Sequence, residues 1–440
     1  MPPRRYPETG VFYRALDREF PLIVRGEGCW LIDDTGKRYL DACGGAYVAN
    51  LGHGVPEIAD AVAEQLRKVA YVNGTAFTNE PVEELAAELR TLNPKGLDFA
   101  YFLSSGSEAV EAALKLARQF WVDSGQPLKR KIIARNPGYH GNTMLALSAS
   151  AREEYKKMFG PWLVPVTMIP APYPYRCLPA SPEMTADALE AAIVKEGPET
   201  VAAFIAEPVG GSSTGASVPP QGYYKRVREI CDEHDVLFIA DEVLSGAGRT
   251  GKWAAIEHFG VRPDIMTLGK GLSGGYVPLS AVVATNKVVG TIRVSGALKH
   301  AQTFSHNPVA CAAGLAAVRY IKKHGLVARS AEMGAVLQKK LSALLDLPDV
   351  GDVRGLGLLA GVEFVENKMT KKPYARSRTY AERFVARAKE HGLILWPNTG
   401  HADGVHGDLV MIAPPFTITE PEIDEIVSRF RLTHASLMTC

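Results

Sequence analysis

The sequence predicts an α/β protein, a large domain built on a mostly parallel sheet with a smaller α+β lobe beside it. Three observations point there. The runs Val201–Ala206 and Val236–Ala240 are continuously apolar rather than alternating, the pattern of strands buried on both faces. Segments of helical period separate such runs, as βαβ units require. Beyond His324 the pattern changes to short, spaced strands and helices. The 440 residues are 46% hydrophobic and 22% charged, enough to bury a sizeable core without disulfide or metal staples.

The elements follow in order. Trp30–Asp33 and Arg38–Asp41 flank Asp34-Thr35-Gly36-Lys37 and predict a hairpin whose turn contains Gly36. Helical periodicity covers Val55–Val69 and Pro81–Leu92. Ala100–Leu103 reads as a strand feeding a helix over Ser107–Phe120, and Lys131–Ala134 as a further strand. A helix over Gly222–His234 separates Val201–Ala206 from Val236–Ala240. Asp264–Leu268 is one more buried strand, and a helix spans Asn307–His324. Val362–Val365, Leu393–Leu395 and Leu409–Ile412, with a helix over Thr419–Phe430, predict the smaller lobe, joined by the N-terminal segment. The expected division is residues 1–60 as that segment, 61–330 as the large domain and 331–440 as the small one.

Charge and cysteine usage remove several classes. Forty-nine basic against 48 acidic residues give net +1, which argues against a polyanion binder acting through bulk charge. No run approaches the ~18 apolar residues of a membrane helix. The start Met1-Pro2-Pro3-Arg4-Arg5 does not resemble a signal sequence, so a cytoplasmic protein is expected. Cys29, Cys43, Cys177, Cys231, Cys311 and Cys440 are scattered without a CxxC pair and read as packed, reduced thiols. Eleven histidines form no HxxxH or HExxH pattern, so no metal site is expected.

Three glycine motifs fail in context. Gly269-Lys270-Gly271-Leu272-Ser273-Gly274 satisfies GxGxxG after a strand, but no Asp or Glu occurs between Asp264 and Glu332 to hold a ribose. Gly246–Lys252 nearly spells a P-loop, yet Trp253 stands where a magnesium-binding hydroxyl must be. Gly211-Ser212-Ser213-Thr214-Gly215 matches GxSxG, but Val218-Pro219-Pro220 follows shortly, and that turn must feed a helix.

One constellation survives. Asp241 and Lys270 each stand at the carboxyl end of a buried strand, where open α/β sheets bind ligands. A lysine there can hold a carbonyl cofactor covalently. Pyridoxal phosphate asks for that lysine, an acidic partner for its ring nitrogen and a phosphate site at a helix start. Ser104-Ser105-Gly106-Ser107-Glu108, between strand and helix, supplies the last, although such a turn also serves as a plain helix cap.

On these residues the chain resembles a class III, fold type I pyridoxal-phosphate aminotransferase of the ω-aminotransferase kind. The resemblance runs from about Gly28 to Phe430. It is carried by Phe238-Ile239-Ala240-Asp241-Glu242-Val243, Gly248-Arg249-Thr250-Gly251 and Pro263–Gly271. It implies a seven-stranded, mostly parallel sheet and a small domain built from both chain ends. It also implies that Lys270 binds the cofactor covalently and shuttles protons, while Asp241 pairs with the ring nitrogen. Val243 would pack under the ring and Tyr139, in Tyr139-His140-Gly141, over it. Ser105, Gly106 and Ser107 would hold the phosphate, and Glu207 would stand beside the cofactor. Thr303, in Gln302-Thr303-Phe304-Ser305, would reach the phosphate of a neighbouring subunit, implying a homodimer with shared sites that could pair into tetramers. The implied reaction is ping-pong transfer, through pyridoxamine phosphate, from an amine or β- or ω-amino acid to a keto acid such as pyruvate. Racemases, aminomutases, decarboxylases and lyases share the same motifs. For His140 a packing role is expected, since the motif gives it no proton to move.

Departures bear on the substrate. Relatives often carry an arginine in the terminal lobe that clamps a carboxylate, where this chain reads Leu395-Trp396-Pro397-Asn398. The segment Gly400–Asp408 is longer and differently charged, and Ser305-His306-Asn307-Pro308 replaces the commoner glycine-histidine-proline. Carboxylate recognition is therefore expected from Arg249 or a rearranged loop. Tyr47, Tyr139 and Trp396 complete the expected substrate pocket.

Overall fold

The computed structural model describes residues 4–177 and 184–438; Met1, Pro2, Pro3 and Cys440 of the readings above lie outside them. Seven strands form the central sheet. Their spatial order is Leu97–Leu103, Ser280–Thr285, Ile265–Leu268, Leu237–Asp241, Val201–Ala206, Lys131–Asn136 and Thr167–Pro170. Ser280–Thr285 runs against both neighbours, and the remaining pairs are parallel. Every residue of Val201–Ala206 and Leu237–Asp241 is buried. Their alternation feeds two cores. Phe204, Phe238 and Ala240 join one cluster with Tyr224 and Val227, while Ile205, Leu237 and Ile239 join the other with the helix Gly106–Asp123. That helix meets the sheet through Ala109, Ala112, Ala113 and Ala117, whose small side chains allow close approach.

The hairpin forms as expected, with Trp30–Asp33 antiparallel to Arg38–Asp41 and Gly36 at φ 85°. Asp33 Oδ1 accepts the N–H groups of Thr35 and Lys37, which fixes the turn. Arg38–Asp41 then pairs in parallel with Leu393–Ile394, bringing the two ends of the chain into one sheet. A third sheet, all antiparallel, has the order Val350–Leu356, Leu359–Phe364, Asp408–Ile412 and Trp396–Thr399. Among the described residues no helix is long and apolar enough to cross a membrane.

Five strands escape the sequence reading: Ile23–Glu27 (antiparallel to Trp30–Asp33), Thr167–Pro170, Ser280–Thr285, Val350–Leu356 and Trp396–Thr399. Ser280–Thr285 follows its neighbour across a glycine-rich turn with only a single 3-10 turn, Lys270–Leu272, and no α-helix between, so strand–helix alternation gives no marker for it. The last helix, Glu420–Met438, outruns the predicted end at Phe430.

Candidate active site

The carboxyl ends of the central strands open into a cleft of about 1190 Å³. Lys270, Asp241, Ser105, Gly106, Ser107, Tyr139, Glu207, Val243, Tyr47 and Trp396 all line it. Asp241 ends its strand in register with Thr267, so the turn after Leu268 returns Lys270 to the same wall. Lys270 sits at φ 42°, a left-handed conformation that costs a non-glycine residue about 1–3 kcal/mol and clusters at functional sites. Burial pushes its amine below the ordinary lysine value, opposed by the carboxylates of Asp241 and Glu207.

The Asp241 carboxylate, 4% exposed, holds three hydrogen-bond contacts and keeps acceptor capacity on Oδ2. Oδ1 accepts from Thr267 Oγ1 at 3.0 Å and from the Val243 N–H at 3.1 Å. Oδ2 lies 2.7 Å from His140 Nδ1, so His140 carries its proton on that nitrogen. His140 Nε2 is buried without a partner. The packing role expected for His140 is therefore incomplete: its ring orients the acid. Thr267 was likewise unread, because its contact with Asp241 depends on strand register.

The Ser105–Ser107 end of the cleft is built on a helix start. Ser105 caps the helix, its Oγ accepting the Glu108 N–H at 3.3 Å while Glu108 Oε2 accepts the Ser105 N–H at 2.9 Å. Both the capping reading and the cleft-lining one thus hold for this turn. Ser107 Oγ accepts the Asn142 N–H at 3.0 Å. A Cβ at Gly106 would lie 2.6 Å from Val243 Cγ1, so only glycine lets Val243 wedge between this turn and Gly269. Glu207 accepts the N–H groups of Tyr139 at 3.2 Å and Gly211 at 2.9 Å, tying Tyr139 to the GxSxG-like loop. Tyr47 and Trp396 pack with ring centroids 5.8 Å apart.

One expected cleft residue is placed elsewhere. Arg249 does not line the cleft: it is 1% exposed, lies over the Phe416 ring and donates to the carbonyls of Leu358 at 3.1 Å and Pro414 at 2.5 Å. Burial pushes its guanidinium down to about 9, and the residue serves as a structural clamp rather than a substrate contact. Thr303 is exposed and outside this chain's own cleft.

The class-III aminotransferase family matches residues 13–433, and the chain belongs to that family. It is 41% identical to the uncharacterized aminotransferase YodT of Bacillus subtilis, covering 96% of each chain. It is 35% identical to putrescine–pyruvate aminotransferase of Pseudomonas aeruginosa, covering 93% of this chain and 89% of that one. The fold superposes on the ω-transaminase of Pseudomonas jessenii in complex with PMP with a TM-score of 0.89, at 33% identity, covering 97% and 96% of the two chains. This is a pyridoxal-phosphate-dependent transaminase of fold type I. The cleft suits that cofactor on its own terms: a desolvated amine, a buried carboxylate, a helix start that excludes a Cβ, and an unpartnered imidazole nitrogen.

Proposed function

We propose that this chain moves an amino group from a primary amine or a β- or ω-amino acid to a keto acid such as pyruvate, in a ping-pong cycle. The single observation that carries the site assignment is the convergence of half-buried Lys270 and buried Asp241 on one cleft wall. When bound, pyridoxal phosphate supplies an electron sink for the carbon that loses a proton. Lys270 Nζ would hold it covalently, and the free amine would move a proton as base and then as acid. An amine whose proton affinity is lowered by burial suits that work near neutral pH. Asp241 Oδ2, held by His140, would pair with the ring nitrogen and favour its charged form. Gly106 and Ser107, at a helix start beside Ser105, would hold the phosphate. Tyr139, braced by Glu207, and Val243 would pack against the ring, while Tyr47 and Trp396 would wall the substrate side.

A homodimer belongs to the same proposal, with Thr303 serving the partner's phosphate. Exposed Tyr71, Phe77 and Phe304 support it; Tyr71 meets Phe304 edge-on at 6.2 Å, an apolar group close to Thr303. The division into residues 61–330 as cofactor domain, with 331–440 and 1–60 forming the smaller one, is supported by the pairing of Arg38–Asp41 with Leu393–Ile394. Cytoplasmic residence rests on Cys29, Cys43, Cys177, Cys231 and Cys311 all being free. A panel of amines and β- and ω-amino acids with pyruvate, scored by alanine formed, tests the reaction. Alanine from at least one donor is expected; none from any donor would overturn the reading.

A further inference from the structure

We infer that Arg152, Asn398 and Tyr47 together receive the carboxylate of the keto-acid or amino-acid substrate, an inference that rests on the transaminase reading above. All three line the same cleft as Lys270. Arg152 Nη1 donates to Asn398 Oδ1 at 2.8 Å and Nη2 to Ser212 Oγ at 3.2 Å, and its guanidinium lies 5.3 Å from the Tyr139 ring centroid. Both acceptors are neutral. No ion pair joins Arg152 to any described carboxylate, whereas Arg376 in the same cleft is paired with Glu382. A guanidinium has five N–H donors, and the two bonds to Asn398 and Ser212 leave the others free for a planar anion.

The neighbouring groups repeat the pattern. Asn398 is 4% exposed; its Oδ1 is taken by Arg152, which fixes the amide orientation, and its Nδ2 has no acceptor. The Tyr47 hydroxyl is also buried without a partner. Burial pushes that hydroxyl well above the usual phenol range, so it stays a donor at neutral pH, and the Arg152 charge is near enough to oppose the rise. Buried donors without acceptors cost stability and call for an explanation. A carboxylate, with about four acceptor sites, satisfies a fixed cation and two orphan donors at once. The terminal-lobe strand contributes Asn398, and the positive charge comes from the segment beyond Tyr139 rather than from Arg249.

The test separates binding of the carboxylate from the chemistry. In Arg152→Met holoenzyme the KM for pyruvate is expected to rise about 10- to 100-fold, the scale of a lost charge-assisted hydrogen bond. Single-turnover conversion of a carboxylate-free aliphatic amine should change far less, and cofactor affinity should hold. Arg152→Lys should recover part of the pyruvate KM. Propionate, an unreactive carboxylate, should bind wild type and bind Arg152→Met at least tenfold more weakly by calorimetry. An unchanged pyruvate KM, an equal loss with the carboxylate-free amine, or weakened cofactor binding instead would overturn the assignment. If Arg152→Met does not fold, Arg152→Lys carries the test: a pyruvate KM equal to wild type in a variant with weakened propionate binding is excluded by the proposal. If wild type transaminates nothing, the functional reading fails, while the propionate comparison still decides whether Arg152 receives carboxylates.

Discussion

His140 Nδ1 and Asp241 Oδ2 lie 2.7 Å apart in the floor of the cleft, 101 residues apart in sequence. The imidazole is the third donor to a carboxylate already held by Thr267 and Val243. Replacing it leaves the charge in place but frees its direction.

His140→Ala should therefore retain cofactor and fold while kcat falls about tenfold to a hundredfold, the scale of about 1–3 kcal/mol for a lost buried hydrogen bond. Asp241→Asn, which removes the charge itself, should cost more, because each unit of pKa on the ring nitrogen is worth about 1.4 kcal/mol. Turnover measured across pH 6–9 checks both. An Asp241→Asn rate equal to wild type would exclude the role given to that carboxylate.

Lys270 makes a prediction for the cofactor-free protein. Burial lowers its proton affinity in the folded state, so the unfolded chain binds the proton more readily. Between the lowered folded value and the ordinary 10.5, stability should accordingly rise with pH. Lys270→Met removes this contribution, so its urea midpoint should climb less steeply over pH 7–10 than that of wild type. Parallel curves would mean that the lysine is not desolvated.

The parts of this site that were legible share one property: each is announced by its own local stretch. Asp241 and Lys270 end continuous apolar strands, and the structure puts both ends on one wall because Asp241 pairs in register with Thr267. The Ser105–Ser107 turn sits between an obvious strand and an obvious helix. What was not legible depends on long-range placement. Arg152 and Asn398 meet across 246 residues, and neither belongs to a motif. Arg249 belongs to a conspicuous motif, but a turn sequence does not say which way its side chain faces. Here it turns inward to the Leu358 and Pro414 carbonyls.

Thr303 gives a prediction about assembly. A mixed dimer of one Lys270→Ala chain and one Thr303→Ala chain should keep about half the wild-type activity if Thr303 serves the partner. Both defects then fall on a single site and the other stays intact. If Thr303 serves its own chain, each site carries one defect and activity falls well below half. Size-exclusion with light scattering, together with the activity of the purified heterodimer, settles the arrangement.

The measurement that bears most directly on transamination at Lys270 is a single turnover of holoenzyme with an ω-amino acid alone, keto acid withheld. Wild type should lose its visible cofactor band in proportion to enzyme and release a stoichiometric carbonyl product. Added pyruvate should then restore the band and yield alanine. Lys270→Ala, folded by circular dichroism, should do neither. A band that persists while product accumulates, or an alanine variant that turns over at the wild-type rate, would contradict the account.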